Sequence, residues 1–256
     1  MATKATSQDA TINIAEVTEG KIVFCLLGTS PLISNRVNNK ASRELLYPGA
    51  RKTAADKAAH AKHDPIQEFR DSPYRMRDPK APTVLAVPPS WFKQGMCSAA
   101  LDTPGAKKAQ IGRLVTTPWD LMPVYGRPQL FMAVVRSADM NKTPDIRTRA
   151  ILPEWACRLE VTFQKPILRD QSVINLLAAA GRLSGCGDWR QQKGSGSFGA
   201  YKIVPESDKE FQRVLKLGRS EQQDALDDPV PYDEDTAQLL SWFVAEAKVR
   251  GQKVTA

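Results

Sequence analysis

The sequence predicts an α+β protein, a sheet domain with decorations, on three observations. Apolar residues alternate with period two in several segments, most clearly in Ala156–Phe163. Helical patterns interrupt the strands in strand-helix-strand and helix-loop-strand units with long breaks, not in the strict alternation of a parallel barrel. A chain of 256 residues can also bury a core without disulfides or metal. Residues 1–20 read as a flexible N-terminus, 21–204 as the sheet domain with a basic insertion at about 35–82, and 205–256 as an acidic helical extension.

In chain order, Lys21–Leu27 is a run of branched and aromatic apolar residues stopped by Gly28 and Pro31, which reads as a buried strand. The insertion is basic and poor in large apolar residues, with short helical patterns over 40–46 and 53–62. Pro88-Pro89-Ser90 opens a helix with Ser90 in capping position and a stripe of Phe92, Met96, Ala99 and Ala100, and Ala106–Leu114 forms a second. Gln129–Arg136 and Arg147–Leu152 read as strands. In Ala156–Phe163, Cys157, Leu159, Val161 and Phe163 face a core while Arg158, Glu160 and Thr162 face out. Ser172–Arg182 is a helix with Val173, Leu176, Leu177 and Ala180 buried, and Phe198–Val204 a strand. Lys209–Leu217 and Asp235–Val249 are helices joined by an acidic, proline-containing link, and Leu239, Trp242, Phe243 and Ala247 pack the last one.

The net charge of +8 favours an anionic partner, and its distribution sharpens that expectation. Basic residues predominate from Arg36 to Lys80, including Arg75 and Arg77, and acidic ones from Glu206 to Asp235. Charge runs are usually solvated surface. Polarisation this marked raises a polyanion site and an acidic segment that competes for it or docks on a neighbouring copy. Cys25, Cys97, Cys157 and Cys186 form no C-x-x-C pair and read as reduced core thiols of a cytoplasmic protein. No run reaches the roughly 18 apolar residues of a membrane span, so no membrane partner is expected.

Catalytic chemistry is thinly represented, and neither an enzyme activity nor a cofactor is expected. His60 and His63 lie in an Ala/Lys-rich stretch and read as solvated. Gly49-Ala-Arg-Lys-Thr53 lacks P-loop spacing, and Asp145 and Glu154 do not complete a carboxylate set for a metal nuclease. Gly194, Gly196 and Gly199 spell G-x-G-x-x-G, but they follow a helix and precede a strand, the reverse of what a dinucleotide turn requires. Gly194–Gly199 also lacks the strand-to-helix elbow of a nucleophilic serine.

The stretch Gly185–Val204, GCGDWRQQKGSGSFGAYKIV, combines glycines with Arg190, Lys193, Trp189, Phe198 and Tyr201. Single-stranded nucleic acid needs that mixture, because cations give salt-sensitive affinity and each stacked base adds about 1–3 kcal/mol. A glycine-rich connection with core aromatics explains the same residues equally well.

A helix, a basic glycine-rich loop ending G-x-G-x-F-G and a strand together resemble the C-terminal glycine-rich loop of the RAMP superfamily, the RRM/ferredoxin-like backbone subunits of CRISPR effector complexes. The loop is also similar to bacteriophage proteins carrying paired Gly-x-Gly-Asp/Glu-Trp-Arg and Gly-x-Phe-Gly motifs, and Thr29–Ser34 with the basic stretch after it is similar to how such proteins begin. The resemblance implies an RRM/ferredoxin-like antiparallel sheet and non-catalytic binding of single-stranded RNA or DNA along its backbone, as a homo-oligomer or filament, in the host cytoplasm for a bacteriophage protein. The histidine of the RNA-processing branch has no counterpart here. Expected contacts are Arg36, Lys40, Arg43, Arg51, Lys52, Arg182, Arg190 and Lys193 to phosphate, with Trp189, Phe198 and Tyr201 for stacking. Gly185, Gly187, Gly194, Gly196 and Gly199 would let the loop backbone approach the strand. The alternative is a phage-type assembly protein whose basic arm meets the acidic tail of the next copy.

Overall fold

The computed structural model describes residues 16–37, 46–47, 62–136, 143–193 and 196–252. It is an α+β fold with two antiparallel sheets. The larger is ordered β10-β1-β9-β6-β4-β3, with β5 added beside β9; the smaller is β2-β8-β7. In the larger sheet these are β1 (Thr18–Gly28), β3 (Tyr74–Arg75), β4 (Leu85–Val87), β5 (Val115–Thr116), β6 (Met122–Tyr125), β9 (Ala156–Lys165) and β10 (Tyr201–Val204), and in the smaller β2 (Leu32–Ser34), β7 (Gln129–Arg136) and β8 (Pro144–Leu152).

The centre is the long β1/β9 ladder, which runs from Thr18 opposite Lys165 to Leu27 opposite Ala156. β9 buries Cys157, Leu159, Val161 and Phe163, as its alternation predicts. Thr162 departs from that pattern: it is buried because its hydroxyl meets Thr116 of the short neighbour β5. β1 is half-buried and not a fully buried strand. Phe24 and Leu26 point into the core while Val23 is exposed, the one-sided arrangement open to antiparallel sheets.

Helix α1 (Pro65–Asp71) packs on β8, with the Asp64 side chain accepting from the Gln67 amide and Phe69 buried. Helix α2 (Ser90–Ala99) buries Phe92, Met96 and Ala99 against α4 (Asp170–Leu183), which supplies Val173, Leu176, Leu177 and Ala180. Pro89, not Ser90, occupies the cap of α2, and no side chain caps that end. Helix α3 (Lys108–Leu114) leads into β5. Cys25, Cys97, Cys157 and Cys186 are free thiols, and burial raises the Cys157 and Cys186 thiol pKa values.

The C-terminal residues form α5 (Lys209–Val214), α6 (Arg219–Asp227) and α7 (Glu234–Val249). The expected link is thus partly helix α6, and the segment is woven into the fold. Gln222 of α6 is fully buried. Its carbonyl accepts from the Val84 and Leu85 amides at 2.9 Å, and its amide donates to Val124 and Gly126 at 2.8 and 3.1 Å. One side chain therefore closes the backbone of the β4/β6 edge. On α7, Thr236 and Ala247 are buried, but Trp242 is 60% exposed and does not pack the helix as its spacing predicts. No helix among the described residues is long and apolar enough to cross a membrane.

Gln222→Leu keeps the volume but strands these buried backbone groups, so it should lower unfolding stability by about 3 kcal/mol, read from a urea midpoint. A change within about 0.5 kcal/mol, typical of an uninvolved surface site, would contradict the role given to this residue.

Candidate functional site

The site begins where β1 ends. The indole of Trp155 lies over Gly28, where a Cβ would strike the ring, and its Nε1 donates to the Ser30 carbonyl at 2.9 Å. The chain then turns through residues 29–31 into β2. From the other side, α4 ends at Leu183 and the glycine loop crosses to β10. The two stretches are stitched together by backbone hydrogen bonds. Thr29 N donates to Ala200 O at 2.8 Å, Gly199 N to Pro31 O at 2.8 Å, and Asp188 N to Ile33 O at 3.0 Å. Within the loop Cys186 N donates to Gly199 O at 2.9 Å.

This seam explains the glycines, and it corrects the role expected of them. Gly199 has φ +72° and any Cβ there would collide with the Cys186 carbonyl; Gly187, at φ +77°, packs on the Ile33 carbonyl. Gly185 and Gly196 likewise lie against the loop's own backbone. These four glycines let the protein approach itself. Gly194 lies outside the described residues, as do Lys40, Arg43, Arg51, Lys52 and His60.

Tyr201 is a second correction. It is 1% exposed, packs edge-on against Phe92 and Trp155, and presents no face for stacking. Trp189 and Phe198 form an internal cluster with Phe131 of β7, Trp189 edge-on at 5.9 Å and Phe198 tilted at 6.3 Å. Trp189 sits at φ +50°, a left-handed conformation uncommon for a bulky residue. The Asp188 carboxylate holds it there by accepting the Trp189 amide at 3.0 Å. The same carboxylate accepts from Asn35 and pairs with Arg149, both at 3.0 Å, and the Arg149 guanidinium lies 5.3 Å from the Trp189 ring centre. Burial lowers the Arg149 pKa, and Asp188 opposes that shift.

Beside this cluster opens a basin of about 850 Å³. Arg36, Arg75 and Arg77 from the basic segment and Arg190 and Lys193 from the glycine loop all line it. The lining holds one acid, Asp120, and the aromatic pair Tyr74 and Trp91, whose rings meet edge-on at 5.6 Å. Arg190 is oriented by its own loop, donating to Gly187 O at 3.0 Å and to the Gln192 side chain at 3.2 Å. Of the predicted residues, Arg36, Arg190 and Lys193 thus meet in one place, whereas Arg182 is exposed on α4 and does not line the basin. Arg75 and Arg77 belong to the basic run, but the sequence gives no sign that sets them apart from its other members. Tyr74 and Trp91 carry no signal beyond their type, since only the β3/β4 pairing and the start of α2 bring them to the basin wall.

His63 also differs from its expected solvated state. Its Nδ1 lies 2.8 Å from Glu68 and its Nε2 3.0 Å from Asp145, so only the imidazolium can donate to both carboxylates. The hydrogen bond to Glu68 raises its pKa most, partial burial opposes this, and Asp145 adds to the rise. Asp145 itself is further bound by Lys62 at 2.6 Å and Arg147 at 3.3 Å. Burial would raise its pKa, but the hydrogen bonds from Lys62 and His63 more than offset that and lower it. Glu154 is held by Arg213, whose hydrogen bonds lower its pKa. The two acids considered for metal binding are thus engaged by cations, and no group of three or more metal-ligating side chains occurs among the described residues.

No known protein family and no curated protein matches this chain.

Gly199→Ala should destabilise the fold by about 2 kcal/mol or more, because the seam must open to admit a methyl group; calorimetry reads the loss. For His63 the raised folded pKa fixes the sign of the pH dependence. Its contribution is complete below about pH 6.5, the ordinary histidine value, and disappears as pH rises through the folded value. Urea midpoints should therefore fall across about pH 5.5 to 8.5 more steeply in the wild type than in His63→Asn, and parallel profiles would exclude this coupling.

Proposed function

We propose that this protein binds single-stranded nucleic acid, RNA or DNA, without catalysis, on an RRM/ferredoxin-like core related to the RAMP superfamily. The observation that carries the reading is the convergence of Arg36, Arg75, Arg77, Arg190 and Lys193 around one open basin beside Tyr74 and Trp91. Cations from sequence-distant segments supply phosphate contacts, and the aromatic pair supplies a surface against which an unpaired base can stack. Among the described residues the lining offers one carboxylate and no histidine, which suits holding a strand more than cutting it.

The sheet supports the fold part of the proposal. The order β10-β1-β9-β6 is fully antiparallel, with helices α2 and α3 between β1 and β6 and helix α4 between β9 and β10. Numbered by chain order among these four strands it reads 4-1-3-2, the arrangement of a β-α-β-β-α-β unit. The β2-β8-β7 sheet, α1 and the C-terminal helices are additions around that unit.

Some acids of the C-terminal segment form ion pairs that an assembly contact would have to replace. Glu206 pairs with Arg158 at 2.8 Å and Glu210 with Arg213 at 2.8 Å, so these acids are engaged within their own chain. For coating of a strand by several copies, Trp242 and Val249 offer an exposed apolar face two turns apart on α7.

Fluorescence anisotropy with labelled single strands and duplex DNA across salt concentrations tests the proposal. Single strands should bind with a steep salt dependence, and each of Arg75→Ala, Arg190→Ala and Lys193→Ala should flatten the slope by about 0.7, the share of one neutralised phosphate on a single strand. Trp91→Ala, with folding checked by circular dichroism, should cost about 1–3 kcal/mol of binding and leave the slope unchanged. Absence of binding at low salt would overturn the reading, and light scattering that grows equally without a strand would favour an assembly protein.

A further inference from the structure

We propose that the open edge of β1 pairs with the same edge of a second copy of this chain, antiparallel about a two-fold axis at Gly20, to make one continuous sheet. On its β9 side β1 is paired from Thr18 to Leu27, but on its other side β10 covers only Cys25 to Gly28. Pro205 ends β10 there, since it has no amide to donate, and the chain leaves into α5. Over Thr18–Phe24 that side of β1 carries no neighbouring strand and no backbone hydrogen bond among the described residues. The β1/β9 ladder fixes where the free groups point. Gly28 N donates to Trp155 O on the β9 side, and Thr29 N to Ala200 O on the other. The register between is unbroken, so even-numbered residues turn their amides and carbonyls to β9, while Glu19, Lys21 and Val23 turn theirs to the open side.

Edges guarded against pairing carry proline, bulges or charges that would meet their own kind. Here the edge is self-complementary instead. With the axis at Gly20, Val17 of one copy faces Val23 of the other and Glu19 faces Lys21, each contact occurring twice. All four side chains lie toward solvent: Val17 and Val23 are 51% and 55% exposed, the Lys21 side chain 57%, and Glu19 is exposed as well. Within one copy Lys21 reaches Glu160 at 2.8 Å, while Glu19 forms no ion pair among the described residues, so the contact supplies Glu19 with a cation. Moving the axis to Glu19 or to Lys21 would set like charges opposite one another, and a shift by half a residue would mix the two faces. The extent of the edge selects the same register. Val204 already sits opposite Cys25 and stops the partner at Phe24, and Gly20 is the midpoint of 16–24. The pairing closes at two copies because both use the same edge, and it involves none of the residues that line the basin, so it is independent of the strand-binding reading.

Sedimentation equilibrium of the full-length protein, freed of nucleic acid, tests the pairing. With rising concentration the mass should climb from 28.3 kDa to twice that value and stop. Glu19→Lys and Lys21→Glu each put a like-charge contact at both symmetry-related positions and should weaken the dimer about tenfold or more. The double variant Glu19→Lys/Lys21→Glu restores opposite charges across the axis and should recover the affinity. Both sites are exposed, and Glu19→Lys leaves the pair between Lys21 and Glu160 in place, so circular dichroism should show the fold unchanged. A mass of 28.3 kDa at every concentration, a mass that grows past two copies, a dimer indifferent to both single reversals, or a double variant no tighter than the singles would each overturn the proposal.

Discussion

The arrangement of this molecule hangs on the hydrogen-bonded seam between the turn after β1 and the glycine loop before β10. Two segments some 160 residues apart in sequence meet there mainly backbone to backbone, through Thr29, Pro31 and Ile33 on one side and Ala200, Gly199 and Asp188 on the other. Only glycine can occupy the Gly187 and Gly199 positions, because backbone fills the space where Cβ would stand and φ is positive at both. The seam has three consequences. It aligns β10 beside β1, it drives Tyr201 into the core under Gly181, and it turns the Arg190–Lys193 segment toward the basic residues that follow β2 and α1. Packing and the placement of the basin's cations thus share one constraint.

Electrostatics then separates the two charged halves of the sequence. In 0.15 M salt, exposed charges more than about 8 Å apart hardly sense one another, so a net charge matters only where the fold concentrates it. Some of the C-terminal acids are matched locally, as in the Arg213 contact to Glu210 and the Arg158 contact to Glu206. Exposed pairs of that kind contribute little stability and serve mainly to neutralise. The basin is different: among the described residues, five cations share its lining with Asp120. Arg149 is different again, since burying its charge is tolerable only because Asp188 and the Trp189 ring compensate it.

Much of the fold was legible in the sequence, for physical reasons. Long elements with a clean period announced themselves: β7 matches Gln129–Arg136, α4 extends the expected Ser172–Arg182 by a few residues, and α7 matches Asp235–Val249 within one residue. The short strands β4 and β6 did not, because three or four residues, one of them Pro123, hold too little pattern and exist through their partners. Helix α6 was hidden by its acidic composition, since its buried face is small and consists of the polar Gln222 beside Ala225 and Leu226. At the site, charge clustering pointed to two segments that meet at the basin, and composition could not say which face each side chain takes. Tyr201 and Trp91 illustrate the limit: both are aromatic residues with a lysine one or two positions on, yet tertiary packing buries the first and leaves the second at the rim.

The unusual backbone of Trp189 ties these strands of reasoning together. A left-handed conformation at a bulky residue persists only where the surroundings overdetermine it. Here the Asp188 carboxylate does so from within the loop, while Asn35 and Arg149 hold that carboxylate from two other elements. Arg149 lies on β8 in the smaller sheet, and Asn35 follows β2. The glycine loop is therefore fastened to the larger sheet by backbone and to the smaller sheet by charge. A loop fixed at both ends in this way can present Arg190 and Lys193 in a defined position, the preorganisation that the proposed strand binding would draw on. The glycines and the strained tryptophan are best understood as the means by which a rigid cationic rim is made from a loop.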